Sequence, residues 1–96
     1  MGGQDGSTVE QTVKIQNELG LHARAATKLV KLAHSFPCDI LVNKDGTEVN
    51  GKSIMGLLML VAAKGSTVTI KARGERAVEA VDSIVQLIDD KFGEDR

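Results

Sequence analysis

Aromatic side chains are almost missing from this 96-residue chain, which has two Phe, no Trp and no Tyr. Its core must therefore be aliphatic, and it lacks the stacking platforms on which single-stranded nucleic acids lie. It has no basic face either. Twelve Lys and Arg stand against 13 Asp and Glu, for a net charge of −1, with no long block of one sign. That balance argues against a nucleic-acid binder and against a disordered acidic tail. Long apolar runs are absent too. The longest, residues 54–63, is ten residues and is interrupted by Gly56, whereas a bilayer span needs about 20. The one cysteine, Cys38, has no partner for an internal disulfide, which fits a reducing compartment, and a cytoplasmic location is expected. No membrane partner and no nucleic-acid partner are expected.

The length suits a single domain whose small core buries roughly 60–65% of the surface of the unfolded chain. Met1 to Ser7 is glycine-rich and polar and reads as a flexible tail (residues 1–7) ahead of one domain at residues 8–96. The tail has no basic n-region and no apolar h-region, so no signal peptide is expected. Gly6 stands where a myristoylation signal wants Ser or Thr, which removes that reading of the Met-Gly start.

Hydrophobic periodicity orders the rest. Val9 to Gln16 alternates as a half-buried strand, with Gln11 spoiling the inward face. Ala23 to Ser35 carries Ala26, Leu29, Val30, Ala33 and Phe36 at helical spacing, and Pro37 stops it. Cys38 to Lys44 is a strand rich in β-branched residues. Asp45-Gly46 is a hairpin turn, and Thr47 to Asn50 returns. Ser53 is a preferred N-cap for a short helix, Ile54 to Leu60. Ser66 to Arg73 alternates cleanly after Gly65. Glu75 to Phe92 reads as the longest helix, with Val78, Val81, Val85, Ile88 and Phe92 along its stripe and Gly93 at its C-cap. The order β-α-β-β-α-β-α, with alternating strands and a hairpin, predicts an α+β fold whose antiparallel sheet has helices on one face.

The chemistry gathers at Gly20-Leu21-His22-Ala23-Arg24-Ala25-Ala26. His22 falls at the start of the first helix, where free backbone N–H groups and the positive end of the dipole favour anions, phosphate above all. Arg24 adds a planar fork suited to phosphate oxygens. A neutral imidazole is a nucleophile near neutral pH. The other histidine, His34, falls in the last helical turn, where a partial positive charge suits the dipole, and reads as structural. No metal-ligand set and no Ser/His/Asp grouping is evident, so no metal or cofactor is expected.

Gly46 to Ser53 matches G-x-x-x-x-G-K-[ST] letter for letter. Thr47-Glu48-Val49 reads as strand, however, and puts a negative charge where a phosphate would lie. The chain is also too short for the parallel sheet that motif uses, so a hairpin followed by a Ser-capped helix is the better account. Ile54, Met55, Leu57, Leu58, Met59 and Leu60 crowd two helical turns, more apolar groups than one stripe can bury. Ile54, Met55 and Leu58 are expected to form a docking surface, and Leu57 and Leu60 to lie in the core.

These residues resemble the HPr family, the histidine-containing phosphocarriers of the bacterial phosphoenolpyruvate-dependent sugar phosphotransferase system. Gly20 to Ala26 is similar to the family's phosphorylated-histidine motif. Asn50-Gly51-Lys52-Ser53-Ile54-Met55-Gly56 is similar to its regulatory-serine motif. The resemblance runs from about Val9 to Phe92. It implies an HPr-like open-faced sandwich with a four-stranded antiparallel sheet and three helices on one face. It also implies that His22 accepts a phosphoryl group on Nδ1 from phosphorylated enzyme I and passes it to a histidine of an enzyme IIA domain. In that reading the amides near Ala23 and Arg24, with the Arg24 side chain, stabilise the phosphate, and the protein is a carrier, not an enzyme in its own right. Ser53 becomes a target of HPr kinase/phosphorylase, and a phosphate there would add about two negative charges to the docking patch. A monomer is expected. Alanine at position 25 departs from the family's usual proline. Alanine is also a good helix former, so the helix should persist with a looser first turn. The alternative is a regulatory docking module acting mainly through phosphorylated Ser53.

Overall fold

The computed structural model describes residues 8–96, and the expected tail at residues 1–7 lies outside them. Along the chain come β1 (Thr8–Lys14), α1 (Ala23–His34), β2 (Asp39–Lys44), β3 (Thr47–Asn50), α2 (Ile54–Met59), β4 (Thr67–Arg73) and α3 (Ala77–Asp89). A single 3-10 turn at Lys91–Gly93 follows.

The strands form one antiparallel sheet in the order β1-β4-β2-β3. Register places Val13 opposite Val68, and Ala72 between Val9 and Ile40. The face carrying Val13, Ile40, Val42, Val68, Ile70 and Ala72 is buried under the helices. α3 lies against β1 and β4, and α1 lies against α2 and α3. The opposite face is polar, with the Thr12 and Thr69 hydroxyls 3.2 Å apart and Lys71 paired to Glu48 at 2.9 Å. This is the open-faced sandwich expected from the alternation. Gln11 is exposed on edge strand β1, beside Glu79 and Asp82 of α3.

The hairpin forms because Asp45 and Gly46 both take positive φ, 52° and 86°, a pair that matches the twist of the flanking strands. Every residue expected on the α1 stripe is buried, and Ala25 joins them at 0% exposure. Ser35 caps the helix, its N–H donating to Leu32 and Ala33 carbonyls.

The third helix departs from expectation at both ends. It begins at Ala77, because Gly74 (φ 119°) and Arg76 (φ 64°) first turn the chain through the left-handed region. It ends at Asp89, and Lys91 and Phe92, at φ 57° and 56°, fold the chain back. Phe92 is thereby fully buried, but by a turn and not by helical continuation. Val78, expected on the stripe, is 60% exposed. The buried stripe is centred on Ala77, Val81, Ile84 and Ile88, and Val78 lies one step of about 100° round from Ala77.

Candidate functional site

The loop before α1 is tied down before it reaches His22. Gly20 has φ 68°, and its N–H donates to Asn17 O at 3.1 Å. The Leu21 N–H donates to Ala62 O at 2.8 Å, strapping the loop to the segment after α2. A Cβ on Gly20 would lie 2.6 Å from that same carbonyl oxygen, so only glycine fits the close approach.

His22 is then delivered as the N-cap of α1, in extended backbone with φ −83° and ψ −179°. Its carbonyl accepts from the Ala26 N–H at 2.8 Å, opening the helical ladder. Its ring takes the part an Asp or Ser oxygen usually plays, as Nδ1 accepts from the Arg24 N–H at 3.2 Å. That bond needs a bare lone pair on Nδ1, so the network assigns the neutral ring its proton on Nε2. No acidic residue lies in the first turn of α1. Arg24 is exposed and forms no ion pair among the described residues. The result is a partly exposed imidazole whose Nδ1 faces a backbone donor, with a free guanidinium close in sequence.

A partner that sequence reasoning did not find approaches from the other side. Glu94 Oε2 lies 2.5 Å from His22 Nε2. Its second oxygen accepts from Asn17 Nδ2 at 3.0 Å, and the same amide donates to Gly20 O at 2.8 Å. Asn17 is fully buried, and its Oδ1 meets no donor among the described residues. Lys28 Nζ donates to Phe92 O at 2.6 Å and fixes the turn that brings Glu94 here. Burial acts to raise the Glu94 carboxyl. The hydrogen bonds from His22 and Asn17, aided by the charge of His22 when its ring is protonated and by that of Lys28, outweigh it and hold the group below its ordinary value. Glu18, Leu19 and Asp95 complete a shallow hollow around the ring.

The second predicted motif builds a helix cap. Ser53 Oγ accepts from the Gly56 N–H at 3.0 Å, and the residue is half-buried. Lys52 Nζ donates to Phe36 O at 2.8 Å, and Thr47–Asn50 is strand β3, so the residues matching a phosphate-binding loop make a hairpin return and a tether. Leu57 and Leu60 are in the core, as expected. Ile54 is 38% and Met55 71% exposed, while Leu58 is half-buried against the core. Leu19, Met59 and Val61, which the sequence did not single out, are more than 70% exposed. Leu58 and Val61 share a shallow hollow with Leu19 and Leu21, so this apolar ground reaches the loop carrying His22.

Comparison with known proteins bears on these two motifs together. The family model described as the PTS HPr component phosphorylation site matches residues 9–90. The chain belongs to the HPr family. It is 44% identical to the phosphocarrier protein HPr of Neisseria meningitidis serogroup A over 86 residues, 90% of this chain and 97% of that one. It is 43% identical to the phosphocarrier protein NPr of Escherichia coli K12 over 89 residues, covering 92% and 99%. The crystal structure of HPr-C-His from Thermoanaerobacter tengcongensis superposes with a TM-score of 0.88 at 43% identity, covering 92% of this chain and 99% of that one. The β-α-β-β-α-β-α sandwich is therefore the HPr fold, and the phosphocarrier role belongs to the family. Among the described residues no helix is long and apolar enough to cross a membrane. Alanine 25 leaves the HPr helix intact, and it keeps the backbone N–H that a proline would lack at this third helical position.

Proposed function

We propose that this HPr-family chain carries phosphoryl groups on His22 Nδ1 in the sugar phosphotransferase system, taking them from phosphorylated enzyme I and giving them to enzyme IIA domains. The observation that carries the reading is the Nδ1 lone pair held 3.2 Å from the Arg24 N–H at the open start of α1. A phosphoryl group on that nitrogen would meet the amide of Ala23, the Arg24 amide that now bonds the ring, and the Arg24 guanidinium, an anion site made of backbone and one cation. Such transfer depends on positioning and charge stabilisation more than on acid–base chemistry in the carrier. Ile54, Met55 and Leu58 are the proposed docking residues, and Leu58 shares a hollow with Leu19 and Leu21 of the loop before His22. Working between soluble partners, the carrier is read as a cytoplasmic monomer.

Ser53 is the proposed target of HPr kinase/phosphorylase. Its phosphate would bring about two negative charges next to Ile54 and Met55 and weaken docking of enzyme I. In the second reading the chain is a regulatory docking module acting mainly through phosphorylated Ser53. The partly exposed Ser53, next in sequence to the exposed Ile54 and Met55, favours it.

One assay decides between them. The chain is incubated with phosphoenolpyruvate, magnesium and an enzyme I from the same source, and read by intact mass beside His22→Ala. An acid-labile gain of one phosphoryl group, absent from the variant, is the expected result. No gain would overturn the carrier reading and leave Ser53 as the working site.

A further inference from the structure

The contact between Glu94 and His22 occupies the ring nitrogen that the acceptor chemistry leaves over. We infer that Glu94 is a positioning residue for phosphoryl transfer: its carboxylate holds the proton on Nε2 while Nδ1 carries the phosphoryl group, and so keeps the loaded ring a good leaving group. The inference rests on the reading of His22 as the acceptor.

The chemistry balances as follows. In the neutral ring the proton is on Nε2, and the Nδ1 lone pair attacks phosphorus. The P–Nδ1 bond forms as the P–N bond to the donor's phosphohistidine breaks, and that bond's electron pair leaves with the donor ring. The His22 ring, still carrying Nε2–H, now bears a positive charge. Without a neighbour the proton is lost to water at a lower pH, leaving a more stable phosphoimidazole whose ring is neutral. A carboxylate at Nε2 favours the charged form by hydrogen bond and by charge, as carboxylates do for histidine in catalytic triads. On onward transfer the P–Nδ1 pair returns to Nδ1, and the group that leaves is neutral imidazole with its Nε2–H in place.

Glu94 is built for this. The buried Asn17 amide holds its other oxygen, at 3.0 Å. The main chain on either side is fixed by Lys28 Nζ on Phe92 O at 2.6 Å and by the Glu18 N–H on Arg96 O at 3.1 Å. The carboxyl lies below its ordinary value, so it is ionised throughout the neutral range. The other charged groups around the ring are Glu18 from the β1–α1 loop, Arg24 and Lys28 from α1, and Asp95 and Arg96 from the C-terminal segment. Among the described residues none of these side chains hydrogen-bonds or ion-pairs with the imidazole; Glu94 alone does.

The test loads the native chain and Glu94→Gln through phosphoenolpyruvate and enzyme I, then follows loss of the phosphoryl group by intact mass across pH. Glutamine keeps the shape of the side chain and removes its charge. Both proteins should lose phosphate quickly in acid and slowly in base. The midpoint for Glu94→Gln should fall lower by about one pH unit, the smaller end of what a neighbouring carboxylate does. At the native midpoint the variant should then hydrolyse about five-fold more slowly, and the 15N spectrum of its loaded ring should show Nε2 largely unprotonated. Coincident midpoints, or a shift to higher pH, would overturn the role of Glu94 while leaving His22 as acceptor. Failure of the native chain to load would remove both readings together.

Discussion

Gly20 and Gly46 offer a matched pair of perturbations that tests how the loop before His22 is held. Both have positive φ, 68° and 86°. Alanine at either position carries the cost of the left-handed region, about 1–2 kcal/mol. At Gly46 nothing lies within 4 Å of the new Cβ, so that cost is the whole effect. At Gly20 the Cβ would sit 2.6 Å from Ala62 O and 2.9 Å from Ala63 Cα, both backbone atoms that cannot swing aside. The loop must lift, and the 2.8 Å bond from the Leu21 N–H to Ala62 O goes with it. Losing that bond adds about 0.5–1.5 kcal/mol, with the displaced packing of Leu21 on top. Gly20→Ala should therefore destabilise by about 2–4 kcal/mol against about 1–2 for Gly46→Ala. In thermal unfolding each kcal/mol lowers Tm by about 4–8 °C for a domain of this size. Gly20→Ala should also shift the His22 ring resonances, whereas Gly46→Ala should leave them in place. Equal Tm losses with unmoved His22 signals would refute the claim that close backbone approach sets the position of the histidine.

Further outcomes can be read in the same preparations. Leu57→Ala removes a fully buried side chain and should cost about 2–5 kcal/mol in urea unfolding, whereas Val78→Ser, on the exposed side of α3, should stay within about 0.5 kcal/mol. Ser53→Ala should cost about 0.5–2 kcal/mol by deleting the cap on the Gly56 N–H. Ser53→Asp should restore most of that stability while slowing loading of His22 by enzyme I. Loading of Ser53→Asp at the native rate would argue against charge control of docking. The Glu94 carboxyl is lowered from its ordinary 4.5, so the stability it contributes is fully present above that pH and is lost as the pH falls through the lower folded value. A 13C titration of Glu94 should show the tether releasing below pH 4.5, and a midpoint above it would reverse the sign of the coupling.

The order of elements was legible because each carries its own period. The α1 stripe from Ala26 to Phe36, the Asp45-Gly46 turn and the Ser53 cap depend on residues within a few positions of one another. His22 was legible for the same reason, since a helix start makes its own field. What could not be read depends on tertiary approach. Glu94 meets His22 across 72 residues of sequence separation, and no period or motif joins them. The left-handed conformations of Arg76, Lys91 and Phe92 trimmed α3 at both ends, although neither Arg, Lys nor Phe is a residue that sequence rules place there. The one local hint was Gly93, which reads as a helix stop and sits in a turn bonded to Asp90 at 2.9 Å. Around α2, apolar crowding pointed to Leu57 and Leu60 in the core and to Ile54, Met55 and Leu58 outside it; Ile54 and Met55 are exposed, but Leu58 packs partly against the core. That crowding did not find Leu19 and Val61, whose exposure follows from how the loops meet.

In the proposed carrier role, the lone pair that caps α1 is the same lone pair that would bond to phosphorus. A helix start cannot keep Nδ1 as its acceptor once that nitrogen is bonded to phosphorus, so loading must exchange one acceptor for another at the Arg24 N–H. Phosphate oxygens can take the vacated place at the same helix start. On this reading the loaded and empty forms would differ mainly in charge and in the partner of one amide. A protein that must be accepted by a donor in one state and by a receiver in the other would gain from having its two faces so nearly alike, with direction set by the relative affinities of the rings on either side.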